Sequence, residues 1–170
     1  MLGGGWKNLK SKWKTSVDNI VRSIYLGSIK DAWFADQQTR METLYVHEDP
    51  IPDYKPTYHV PILNVEPEVP LVVGDYFASQ NAEENIDTIQ RTRLVDPGKL
   101  AVAHLLLDDY YDGYQPLLIH CLGGVERSPL TLATWMVKNG MQPDLDAAYR
   151  FLKARRSVVQ DRRHWLVQPA

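Results

Sequence analysis

The sequence predicts an α/β fold: a single domain whose central mixed sheet is flanked by helices, with a cysteine-bearing loop between a strand and a helix. Three observations carry this. Leu117-Leu118-Ile119 is a short apolar run of buried-strand type. Leu130 to Val137 follows with apolar residues at helical spacing. Elsewhere short strand-like runs are mixed with helical segments, which is the pattern of helices packed on a sheet.

Taken in order, residues 1–18 read as a basic amphipathic extension and residues 19–170 as the domain. In the extension Lys7, Lys10, Lys12 and Lys14 interleave with Trp6, Leu9 and Trp13, and Val17, Ile20 and Ile24 continue close to helical spacing. Such a helix suits an anionic membrane surface or a partner. The plainer reading packs its tryptophans on the parent domain, because bare tryptophans are costly in water.

Ile20 to Leu26 reads as a first strand closed by Gly27, Lys30 to Met41 as a helix, and Thr43 to Val46 as a second strand. Glu48 to Pro56 holds three prolines and is a loop. Tyr58 to Leu63 reads as a third strand. Asn64 to Pro70 is proline-rich and extended, and Asp75 to Gln90 is polar with some helical character. A connection this long inside a compact domain is usually functional or mobile.

Asp96-Pro97-Gly98 has the form of a helix start, with Asp as N-cap and Pro in the first turn. Leu100, Ala103, His104, Leu107 and Tyr111 give that helix a buried face, and Gly113 ends it. A helix from about Ser128 to Asn139 stops at Gly140, a natural position just past a helix end. Another starts near Pro143-Asp144, carries Leu145, Ala148, Tyr149 and Leu152, and closes on Lys153, Arg155 and Arg156, cations that suit a helix C-terminus. Arg162 to Leu166 forms a helical or irregular tail.

Composition narrows the classes. The chain has 170 residues, 44% hydrophobic and 24% charged, ordinary for a soluble domain with one core. A net charge of −2 argues against a general nucleic-acid binder. Cys121 is the only cysteine, which rules out an internal disulfide and favours a reducing, cytoplasmic location. No apolar run approaches membrane-spanning length, and the first residues lack the apolar core of a secretory signal.

The chemistry concentrates in His120-Cys121-Leu122-Gly123-Gly124-Val125-Glu126-Arg127-Ser128-Pro129. Strand, glycine-bearing loop and helix start together build an anion cradle from backbone N–H groups and the positive helix end. A cysteine at its base has its pKa drawn toward the thiolate. Amides from Leu122 to Arg127 can face inward if Gly123 and Gly124 relax the backbone. Arg127 can add a planar fork to phosphate oxygens. Cys121 then serves as nucleophile through a phosphocysteine, Ser128 donates to the departing sulfur, and His120 holds the loop through its ring. A merely structural cysteine fits poorly, since glycines, arginine and serine make a poor apolar core.

This loop resembles the His-Cys-x5-Arg-Ser/Thr signature of the cysteine-dependent protein tyrosine phosphatases, and most closely their dual-specificity branch. Ile24-Tyr25-Leu26-Gly27-Ser28 is similar to the branch's first-strand pattern, and Leu152 to Arg156 falls after two helices, where the branch often carries a basic pair. The resemblance spans roughly residues 19–165. It implies the family's fold and mechanism, a phosphoprotein substrate, and no need of a metal or organic cofactor. Three features depart from it: a compressed stretch between the first helix and second strand, an apparent insertion at residues 65–86, and no Trp-Pro-Asp acid loop.

The family uses an aspartate on a mobile loop as general acid, then general base. A helix, a strand and their connections should place it roughly 30 residues before the cysteine. Asp87 lies 34 positions before Cys121, Asp96 lies 25 and Asp75 lies 46. Asp87 is the choice, and Asp96 is better explained as a helix cap. Glu126 inside the loop disfavours a highly anionic inositide by repulsion, unless it turns outward or pairs with a nearby arginine.

The reading is therefore a phosphatase of dual-specificity type. Its rivals are a phosphate-binding module without turnover and a rhodanese-like sulfur or arsenate enzyme. With no second thiol in the chain, peroxide should leave a sulfenamide or mixed adduct at Cys121 instead of an internal disulfide. The physiological substrate, phosphotyrosine against phosphoserine or phosphothreonine preference, and oligomeric state are not encoded in any motif.

Overall fold

The architecture is that of a computed structural model, which describes residues 17–35, 41–64 and 93–166. Five strands form a mixed sheet: β1 (Asp18–Val21), β2 (Ile24–Gly27), β3 (Glu42–Tyr45), β4 (Tyr58–His59) and, after a gap in chain order, β7 (Leu117–His120). Their spatial order is β1-β2-β7-β3-β4. β1 runs antiparallel to β2, while β2, β7, β3 and β4 are mutually parallel. A separate antiparallel ladder joins β5 (Leu63–Asn64) to β6 (Leu94–Val95).

β7 lies at the centre and is buried along its whole length, which is why its sequence is a continuous apolar run and not an alternating one. Leu117 and Ile119 enter the larger core cluster, with Ile24, Leu26, Leu44, Leu130 and Trp135. Leu118 points to the other face, where it meets Val17, Ala32, Ala35 and Met41. One strand thus welds two cores, as period-two geometry requires.

Among the described residues, four helices cover the sheet: α1 (Ile29–Phe34), α2 (Pro97–Gly113), α3 (Arg127–Lys138) and α4 (Leu145–Arg155), followed by a short 3-10 turn (Arg163–Trp165). Three of the four starts are chemically marked. Ser28 caps α1 in a reciprocal box with Asp31, Asp96 caps α2, and Asp144 caps α4. Gly140 takes φ +72° just beyond α3, the left-handed stop that its position suggested. Among the described residues, no helix is long and apolar enough to cross a membrane.

Several sequence expectations are corrected. The single first strand is a hairpin: Arg22 turns the chain with φ +49°, so Ile20 and Ile24 sit on opposite arms instead of one helix face. Tyr58 to Leu63 is split into β4 and β5, since Pro61 has no N–H for a ladder. The first helix is described only to Ala35. At the end of α2 the left-handed cap is Tyr114, at φ +56°, and Gly113 is the last helical residue. Asp18 opens β1 and Val17 is buried, while the rest of the basic extension, Asp75, Asp87 and the 65–86 insertion lie outside the described residues.

Candidate active site

The parallel register sets the site. Gly27, His120 and Tyr45 are neighbours across β2, β7 and β3, so the chain just beyond each converges at one edge. In parallel sheets that carboxyl edge is where ligands bind. Cys121 is the first residue past β7 and α3 begins at Arg127, leaving only the loop between them.

The loop's carbonyls account for its shape. Cys121 O lies 2.9 Å from His120 Nδ1. Leu122 O accepts from Ile29 N at 2.8 Å, and Val125 O accepts from Gln160 N at 2.8 Å. Gly123 O and Gly124 O both accept from Arg156, through Nη2 at 2.9 Å and Nε at 3.0 Å. Five successive carbonyls are thus bonded by groups outside the loop's own backbone. Buried backbone acceptors need such partners, and supplying them here turns the amides toward the concave side.

Gly124 makes this path feasible. Its φ is +68°, and a Cβ there would stand 2.4 Å from Gly27 O. A side chain at this point is excluded both by backbone angle and by space. Gly123 does not share this: its Cβ would meet only the flexible Val125 side chain.

The sulfur lies at the bottom, 3% exposed. Ser128 Oγ donates to Sγ at 3.0 Å. Burial alone would push the thiol's pKa up. The Ser128 hydroxyl, the Ser128 and Glu126 amides and the Arg127 charge outweigh it, so the pKa is lowered. α3 has no side-chain cap, because Glu126 at its N-cap position does not bond back. The N–H groups at that helix start therefore face the sulfur, as the Ser128 amide does, and whatever occupies the cradle above it.

Arg127 is buried, and Glu48 fixes its angle. Nε and Nη2 donate to the two Glu48 oxygens at 2.8 and 2.6 Å, a bidentate fork. Among the described residues nothing bonds Nη1, so the end-on edge of the guanidinium stays open to an oxyanion. Although burial opposes ionisation of Glu48, the Arg127 pair holds its carboxyl below the usual range.

The turn carrying Glu48 is itself pinned. His59 Nε2 donates to His47 O at 2.7 Å, Asp49 N donates to His47 Nδ1 at 3.0 Å, and the Tyr45 hydroxyl donates to Asp49 O. Burial pushes His47 down to about 3, which keeps Nδ1 an acceptor.

His120 is fully buried, and desolvation lowers its pKa to about 4. As a neutral ring facing a carbonyl, it donates from Nδ1 to Cys121 O. Nε2 then accepts from the Tyr54 hydroxyl, 2.8 Å away, and Tyr54 Oη rests 2.9 Å from Thr43 Oγ1. The ring is stacked on Tyr45 at 4.9 Å, and Tyr45 on His59 at 4.8 Å, a column that follows the strand register.

The structure therefore brings together Cys121, Arg127, Ser128, His120 and the backbone of Leu122 to Glu126. Glu126 is paired with Arg162, Nε to Oε2 at 3.1 Å, so its charge is offset and the repulsion argument against anionic substrates falls away. Asp96 is committed elsewhere: its carboxylate accepts from Gly98 N at 2.9 Å and Lys99 N at 3.2 Å. Asp87 is outside the described residues.

Sequence reasoning missed Glu48 and misread Arg156. The signal for Glu48 was its place, just past a strand that would pair in parallel beside the cysteine strand. Arg156 seemed a helix-end cation. It instead reaches across to the loop carbonyls and to Asp18 Oδ2 at 3.0 Å.

No protein-family model matches the chain, and no curated protein matches it. Solved structures do. DUSP15 aligns at 18% identity over 90% of this chain and 80% of its own, with TM-score 0.52. Human DUSP28 aligns at 17% over 85% and 83%, with TM-score 0.54. Tk-PTP in its active form aligns at 15% over 86% and 88%, with TM-score 0.59. With this topology and this loop, the chain has the fold of the cysteine-dependent protein tyrosine phosphatases, dual-specificity enzymes among its structural neighbours.

Proposed function

We propose that this chain is a protein phosphatase of dual-specificity type, hydrolysing phosphotyrosine, phosphoserine or phosphothreonine esters through a phosphocysteine. The observation that carries this is the outward bonding of carbonyls 121–125 above an ionisable, Ser128-bonded sulfur. A dianionic ester is hard to attack because nucleophile and target repel. A ring of preorganised amides and a guanidinium cancels that repulsion without reorganisation at the moment of reaction.

In the first step Cys121 Sγ forms the S–P bond as the ester P–O bond breaks. The open edge of Arg127 and the loop amides take the equatorial oxygens. The leaving oxygen receives its proton from Asp87, the residue favoured by spacing; the capping role of Asp96 supports that choice over the runner-up. In the second step the same carboxylate takes a proton from water, whose oxygen attacks phosphorus while the S–P bond breaks. Ser128 donates to the departing thiolate. The sum is ester plus water giving alcohol and inorganic phosphate, with no metal or organic cofactor in either step. An unpaired low-pKa thiol persists best in a reducing compartment, which favours the cytoplasm.

The test is hydrolysis of an aryl phosphate in the presence of a chelator. Wild type should turn over, and Cys121→Ser should lose at least about 10⁴-fold, as expected when a nucleophile is removed. Phosphate binding without release from the ester would instead make the chain a non-catalytic module. Activity confined to thiosulfate or arsenate would make it a sulfur or arsenate enzyme.

A further inference from the structure

Arg93 stands immediately before β6, at the edge of the site. Its Nη1 lies 3.7 Å from Glu48 Oε1, while Arg127 Nη2 lies 2.6 Å from that same oxygen. The second contact is a full hydrogen bond, and the first is too long to be one. The two guanidinium nitrogens are no farther apart than those two distances laid end to end. One carboxylate therefore serves two cations, and Arg127 holds both of its oxygens.

Arg93 is left with charge and donors to spare. Its Nε is buried and has no hydrogen-bond partner, yet its side chain keeps 18% exposure. The neighbouring acids do not complete it. Glu48 is taken by Arg127 and Glu126 by Arg162. Among the described residues the Asp49 carboxylate comes within ion-pair distance of His47 and not of Arg93, at 3.9 Å from His47 Nδ1. A half-buried guanidinium without a matched acceptor is costly unless an anion arrives to meet it.

We propose that Arg93 binds a second anionic group on the substrate, a carboxylate or phosphate flanking the scissile phosphate, and so sets specificity. This rests on the phosphatase reading. Arg127 presents its open edge to the first anion, and Arg93, which shares Glu48 Oε1 with it, meets the second. The competing role is mechanical: Arg93 merely steadies Glu48, and through it Arg127. That role would affect every substrate by the same factor.

The experiment compares kcat/KM for three phosphotyrosine peptides, each normalised to a small aryl phosphate that has no second anion. One peptide has alanine flanks, one glutamate flanks and one a second phosphate on the adjoining residue. Wild type should prefer the anionic peptides by about tenfold, the scale of one charge-assisted hydrogen bond. Arg93→Gln should bring that ratio to about 1, Arg93→Lys should keep part of it, and added salt should shrink it in wild type only. Which anionic peptide loses more identifies carboxylate or phosphate as the partner. A ratio that is absent in wild type, or that survives Arg93→Gln, overturns the proposal. If no substrate is hydrolysed, the phosphatase reading fails separately. The same peptide ratio, measured as binding to Cys121→Ser with and without Arg93→Gln, then decides the role of Arg93.

Discussion

Two buried arginines meet at one loop, and they are used differently. Arg156 works from outside: Nε and Nη2 hold two glycine carbonyls and Nη1 holds Asp18. Arg127 works from inside: one side of its fork is spent on Glu48 and the Nη1 edge is open. The same side chain is a building member where its forks are filled by the protein, and has donors to offer where, among the described residues, one edge is left over. Burial alone does not separate them, since each is 6% exposed.

The sharpest break of this comparison is to change Arg127. Arg127→Lys keeps a charge but loses the planar fork, and aryl phosphate turnover should fall by about 10² to 10³ in kcat/KM. Chemical unfolding should show little of that loss as instability. Comparable activity in the lysine variant would mean that the open edge does not meet the substrate.

Arg156→Ala should invert the pattern. It orphans two carbonyls and leaves Asp18 without its partner, at about 3 kcal/mol by urea unfolding. Activity should fall as a consequence, and added phosphate or tungstate should restore part of the stability by filling the cradle. If stability is unchanged, the outer clamp is dispensable.

Acid should weaken the frame before it reaches the carboxylates. Burial lowers His47 to about 3 and His104 and His120 to about 4. The unfolded chain binds protons near pH 6.5, so it takes up more protons than the folded one between about pH 6.5 and 4. Stability is full above that window and declines as pH falls through it. Unfolding at pH 5 should take up about three protons, read from the slope of stability against pH. Glu48, held below its usual range, adds loss at still lower pH. A flat profile from pH 7 to 5 would show that these rings are not held neutral.

The smallest effect sharpens the choice of acid. Asp96→Ala removes a helix cap and should cost about 1 kcal/mol. Its kcat/KM on esters with poor leaving groups should match wild type. Asp87→Asn should lose activity on those esters strongly. The reverse result would transfer the acid role to Asp96.

What was legible in the sequence was local. The apolar run of β7, the caps at Asp96 and Asp144 and the stop at Gly140 each depend on a few adjoining residues. The Arg22 turn escaped notice because no glycine or asparagine sits at its left-handed position; Asn19 braces it from three residues back, bonding Arg22 O at 2.8 Å, and the Arg22 guanidinium packs over Tyr111. The supports of the site were illegible for a different reason. Glu48 is 79 positions from Arg127, and Arg156 is 32 from Gly124. Pattern along a chain says nothing of a bond between residues that only the sheet register brings together.

The outer clamp has a consequence for anyone cutting this protein down. Arg156 latches the first strand to the segment that follows the last long helix, with the loop caught between them. A fragment trimmed past Asp18, or ended before Arg156, would keep most of the central strands yet lose the latch. Boundaries drawn from the core alone would thus yield a remnant with a slackened cradle.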